Sequence, residues 1–87
     1  MNNTVLDHII DSLPHEEILK ANGFDDAVIG LDEATMRLIY SVSKCLEILQ
    51  LDMNETDAIE YFTFNVSGGY VGDKTPIWCW DMLKTNC

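Results

Sequence analysis

The stretch Ala27-Val28-Ile29-Gly30-Leu31-Asp32-Glu33-Ala34-Thr35-Met36-Arg37-Leu38-Ile39-Tyr40-Ser41 decides the fold. Ala27–Leu31 and Met36–Tyr40 are short apolar runs of the strand type. Asp32-Glu33-Ala34-Thr35 between them fits a hairpin loop, so the runs pair antiparallel. Ser41 can cap a helix that follows, because its hydroxyl accepts a hydrogen bond from an unpaired N–H of the first turn. Val42, Cys45, Leu46 and Leu49 then fall at i, i+3, i+4 and i+7, the apolar stripe of that helix.

Toward the N-terminus, Thr4 and Asp7 form a capping-box pattern with Asp in place of Glu. Leu6, Ile9, Ile10 and Leu13 follow at helical spacing, which predicts a helix over about 4–12. Pro14 suits the first turn of a second helix, with Glu16 and Glu17 at its positive end and Gly23 as its stop. Toward the C-terminus, Asn54 followed by Asp57 opens a helix with Ala58, Ile59, Phe62 and Val66 on its inner face. Ser67-Gly68-Gly69 ends it. Tyr70 to Pro76 is rich in turn residues. Ile77-Trp78-Cys79-Trp80 reads as a third strand or extended segment, and Met82-Leu83 as a last turn. The predicted class is α+β: about four short helices with a small antiparallel β-sheet, a hairpin plus a C-terminal strand.

The chain has 87 residues, 47% of them hydrophobic and 23% charged, so it folds as one small domain over 1–87. Fifteen Asp and Glu face five Lys and Arg, a net charge of −10. That balance argues against direct nucleic-acid binding, which draws on Lys and Arg displacing phosphate counterions. It argues equally against docking on anionic membranes. An acidic field attracts basic surfaces instead. No apolar run approaches the ~18 residues of a membrane span. The N-terminus lacks a basic, then apolar, signal pattern. A cytoplasmic protein with free thiols is expected.

The chemistry-bearing patterns are weak. Gly68-Gly69-Tyr70-Val71-Gly72-Asp73-Lys74-Thr75 approaches a phosphate-binding loop, but Asp73 stands where the second Gly belongs, and its carboxylate would repel a phosphate. Pro76 then turns the chain away from helix. A helix stop and a turn are the simpler reading. His8 and His15, or Cys79 and Cys87, lack the spacing of a zinc site. Asp25-Asp26 to Asp32-Glu33 lacks the ligand spacing and central Gly of a calcium loop. Cys45 sits on an apolar helix stripe, as a buried thiol does. No catalytic residues, metal ligands or cofactor are expected.

Two features remain. One is the distributed acidity, either a solubilising shell or a negative surface for a basic groove. The other is Trp78-Cys79-Trp80. In a strand the two Trp share a face, which is either the core or an exposed anchor for a partner.

The sequence also contains Gly23-Phe24-Asp25-Asp26-Ala27-Val28-Ile29-Gly30, Leu38-Ile39-Tyr40-Ser41 with Lys44-Cys45, and Asp57-Ala58-Ile59-Glu60-Tyr61-Phe62. Phe64-Asn65, Gly69-Tyr70-Val71-Gly72 and Thr75-Pro76-Ile77 follow in order. Over about residues 18–80 this combination resembles a group of small acidic proteins of tailed bacteriophages. The resemblance implies an accessory protein acting in a bacterial cytoplasm and carries over no functional residues. The expected role is a non-enzymatic protein that binds and inhibits or modulates a host protein, one concerned with defence or nucleic-acid handling, through that protein's basic surface. The partner-binding candidates are Asp25, Asp26, Asp32 and Glu33 near the hairpin, with Tyr70, Asp73, Trp78, Trp80 and Asp81 in the C-terminal segment. The alternative is a self-assembling module such as a homodimer, its acidity serving solubility.

Overall fold

The computed structural model describes residues 5–21, 23–69 and 72–81. The predicted Thr4 cap, Tyr70, the Met82-Leu83 turn and Cys87 lie outside that set.

Helix α1 spans Val5–Ser12. Strands β1, Val28–Asp32, and β2, Arg37–Ser41, form the expected antiparallel hairpin. Each lies one residue further along than the apolar runs. The reason is Asp32, which ends β1 and braces the turn: its carboxylate accepts from the Ala34 N–H at 3.2 Å and the Thr35 hydroxyl at 2.8 Å. The pairing slips between Val28, opposite Tyr40, and Gly30, opposite Ile39, which makes a bulge at Ile29.

The two predicted N-caps that lie among the described residues form. The Ser41 hydroxyl accepts from the Lys44 N–H at 3.1 Å to open α2, Val42–Leu49. The Asn54 side chain accepts from the Asp57 N–H at 2.8 Å to open α3, Glu55–Tyr61. Helix α3 runs into one wide π-helical turn, Phe62–Val66, with the Ser67 N–H donating to the Phe62 carbonyl at 2.8 Å. Of the predicted inner face, Ala58 and Phe62 are buried and Val66 is half-buried, but Ile59 is exposed.

Two expectations are corrected. Residues 14–21 form no helix, so three α-helices stand among the described residues, not about four. So short a segment has little helical stability of its own. A tertiary bond wins: the Ala21 N–H donates to the buried Tyr40 hydroxyl at 2.8 Å, and Ile18 and Ala21 pack on the core. The second correction concerns β3, Ile77–Cys79, which pairs with β2 in parallel. The sheet is mixed, in the order β1-β2-β3. Residues 42–76, with α2 and α3, return the chain to the end of β2 where it began, and such a crossover makes a parallel neighbour.

β2 is the middle strand and carries the core. Leu38 and Tyr40 from β2, Val42 and Cys45 from α2, and Phe62 are fully buried. Leu6 of α1 and Phe24 close the same cluster. The two Trp rings meet Phe62 from one side. Trp78 lies 5.3 Å from it and 5.1 Å from Tyr40, and packs on the core. Trp80 lies 5.8 Å from Phe62 and stays 39% exposed.

Polar bonds fix both ends of β3. The Arg37 Nε donates to the Thr75 carbonyl at 2.6 Å. Beyond the strand, Asp81 accepts from the buried Ser41 hydroxyl at 2.6 Å and from the Ser43 N–H at 3.1 Å. Asp81 thus acts as a second cap of α2, supplied from 38 residues away. The Ser41 hydrogen bond holds its carboxyl below the ordinary aspartate value. Partial burial pushes the other way, and the Ser43 bonds add to the lowering. A lowered carboxyl stabilises the fold fully above its unfolded value and loses that contribution as pH falls through the folded one. We predict that Asp81→Ala costs about 1 kcal/mol of stability at neutral pH. Urea titrations should show the gap from wild type closing in acid; a gap of the same size at both pH values would remove Asp81 from this role.

Candidate functional site

A hollow of about 570 Å³ lies where four segments meet. Leu19, Lys20, Ala21, Gly23 and Phe24 form one wall, held by the bond from Ala21 to Tyr40. Ile48 and Leu49, at the end of α2, form a second. Pro76 and Trp78 bring the C-terminal strand to it. The π-helical turn contributes Asn65 and Val66, and Tyr61 precedes it. Such turns often mark functional positions because the extra residue re-aims the side chains that follow. The lining is mainly apolar, and its polar side chains are Lys20, Asp52, Asn65 and the Tyr61 phenol. The Trp78 indole nitrogen is buried and meets no acceptor among the described residues. A buried donor without a partner is uncommon in native structures.

Tyr61 and Asn65 also border a shallower depression, which adds Met53, Asp57, Glu60 and Phe64. Large apolar side chains are exposed in this part of the chain, the corner from the end of α2 to the π-helical turn. Leu51 is 82% exposed and Phe64 77%. Tyr61 and Ile59 are exposed beside them. The carboxylates of Asp52, Glu55, Asp57 and Glu60 are interleaved with these side chains, and none has a cationic partner among the described residues. Between Lys44 and Lys74 the chain holds no Lys or Arg and six Asp and Glu. That gap in positive charge is the sequence signal for this corner, and reading the acids as spread over every element passes over it.

The residues picked from sequence separate into groups. Asp25 and Asp26 sit on a 3-10 turn, and Asp25 faces Lys20 Nζ at 4.0 Å. Asp32 is occupied in the hairpin turn, with exposed Glu33 beside it. Asp73 is exposed on the turn before β3. Trp78 and Trp80 share Phe62, and Asp81 caps α2. Among the described residues no hydrogen bond, ion pair or ring contact joins the hairpin acids to the tryptophans. The sequence assigns no site role to Leu51, Tyr61, Phe64 and Asn65, because their spacing fits no binding or catalytic motif.

The glycine-rich stretch ends in a turn, not at a helix N-terminus. The Thr75 hydroxyl donates to the Gly72 carbonyl at 2.6 Å, and Lys74 Nζ reaches the Thr35 carbonyl at 3.1 Å. No group of three His, Cys, Asp or Glu able to hold a metal ion stands among the described residues. No described helix is long and apolar enough to cross a membrane. Comparison of the chain with family models, curated proteins and solved structures finds no match.

Cys45 lies in the core, where burial, with a smaller push from the Asp81 charge, raises its thiol to about 12. The thiolate is the reactive form, so this thiol is inert while the fold is intact. Iodoacetamide at pH 8 should leave Cys45 unmodified in the native protein and label it fully in urea, read by peptide mass spectrometry. Native labelling of Cys45 at the rate of a free thiol would contradict that burial.

Proposed function

We propose that this chain is a non-enzymatic binding protein of the small acidic phage type. In this reading it works in a bacterial cytoplasm and inhibits or modulates a host protein by covering a basic surface. The supporting observation is the α2–α3 corner, where exposed Leu51, Tyr61 and Phe64 are interleaved with carboxylates that have no cationic partner among the described residues. Exposed side chains of this size are the usual anchors of an interface when they gather in one place. The charge has a separate task. A field of −10 speeds encounter with a cationic surface and repels anionic ones, nucleic acid and membrane among them. Asp26 and Glu33 add to that field.

The two contributions separate in kinetics. Capture from bacterial lysate at low and high salt, followed by mass spectrometry, identifies the partner. With that partner, Asp57→Asn with Glu60→Gln should slow association and flatten its salt dependence. Phe64→Ala should leave association nearly unchanged and raise the dissociation rate about tenfold or more. Asp32→Asn with Glu33→Gln tests the hairpin in the same assay. If none of these variants alters binding, the acidic surface is not the interface. If sedimentation shows a tight homodimer that hides Phe64 and no host protein is captured, the same apolar side chains serve self-assembly.

A further inference from the structure

We propose that the hollow between Leu19–Ala21 with Phe24, the end of α2 and Trp78 is a binding site for a small organic cation with a flat apolar body. The site does not depend on the partner reading above, and it is tested on the isolated protein.

Size is the first argument. The hollow measures about 570 Å³, within the range of roughly 300–1,000 Å³ typical of small-molecule sites. It is larger than one lysine or arginine side chain of a docked protein would fill. The walls are the second. Phe24, Tyr61 and Trp78 bring three aromatic side chains to one hollow, with Leu49 and Val66 between them. Aromatic faces attract a cation as well as an apolar ring. Charge is the third. Of the two ionisable rim residues with opposite signs, Lys20 faces Asp25 at 4.0 Å, whereas Asp52 has no cationic partner among the described residues. Asp52 therefore leaves one negative charge at the mouth of an apolar hollow, in a protein whose field already concentrates cations. Asn65 supplies a neutral amide that both donates and accepts. An anionic ligand of the same shape would meet repulsion from Asp52 and from the net charge.

The test uses three probes of one shape and different charge: 2-naphthylmethylamine, 2-naphthalenemethanol and 2-naphthoate. Each is titrated into 15N-labelled protein, with the Trp78 indole N–H and the Asn65 side-chain amide as reporters. The amine should shift both reporters saturably and bind about fivefold or more tighter than the alcohol. Naphthoate should bind more weakly than the alcohol. Asp52→Asn should bring amine and alcohol within about twofold of each other. Asp11→Asn makes the same change in net charge on α1, away from the hollow, and should preserve the preference. Val66→Phe should weaken all three probes by filling the hollow. If Val66→Phe fails to fold, the Asp52→Asn comparison still decides the matter.

Three results overturn the proposal: no saturable shift at the two reporters with the amine, an alcohol that binds as tightly as the amine to wild type, or an amine preference that survives Asp52→Asn. A fourth reassigns the site: if a lysine-rich amphipathic peptide displaces the amine from the same reporters and binds more tightly, the hollow receives a partner protein and the small-molecule reading is wrong. Because no partner protein enters the assay, failure here leaves the proposed host interaction standing, and failure of that interaction leaves the ligand site standing.

Discussion

Three side chains of the middle strand hold the chain together across long sequence distances. Ser41 reaches Asp81, Arg37 reaches the Thr75 carbonyl, and the Tyr40 hydroxyl receives the Ala21 N–H. The first two spans are 40 and 38 residues. A strand of three residues, such as β3, has too few ladder bonds to hold its own register. The two polar bonds clamp it beside β2, and that places Trp78 over Tyr40 and Phe62. The Tyr40 bond performs the equivalent task for the irregular loop on the other wall of the hollow. Ser41 is fully buried, so losing Asp81 leaves its hydroxyl only Ser43 and the Lys44 N–H as partners, as well as freeing a strand.

Local signals were the legible ones. Ser41 and Asn54 have the residue type and spacing of helix caps, and a cap needs only its own next few residues. The hairpin was legible for the same reason. Its boundaries moved by one residue because Asp32 works both as strand and as turn brace. The direction of β3 was not legible. An isolated run of Ile, Trp and Cys pairs equally well either way, and the choice is made by the crossover before it and by Asp81 after it. The false helix after Pro14 failed similarly. Pro14, Glu16 and Gly23 carry helix signals, but nothing local reports that Ala21 will find a buried phenol.

The candidate site was legible only in part. The alternation of a strand puts Trp78 and Trp80 on one face, and Phe62 packs against both rings. Which of the two stays at the surface depends on where the strand ends, one residue before Trp80. The corner of Leu51, Tyr61 and Phe64 has no motif. Its nearest sequence trace is a negative one, the absence of Lys and Arg between Lys44 and Lys74. The hollow itself is assembled from four separate segments, one of them a π-helical turn, which side-chain periodicity does not encode.

The bulge at Ile29 has a consequence for how copies of this chain can meet. Among the described residues β1 and β3 are the two margins of the sheet, and each offers unpaired backbone groups to any passing strand. β1 is interrupted by the bulge close to its start. β3 is three residues long and follows directly on Pro76, which has no N–H to give. Neither margin is a straight template on which another strand can lengthen the sheet. The apolar corner can therefore stay exposed without the chain also inviting fibrous growth through its backbone. A visitor has to be recognised by side chains, and side chains discriminate between visitors where a ladder of amides does not.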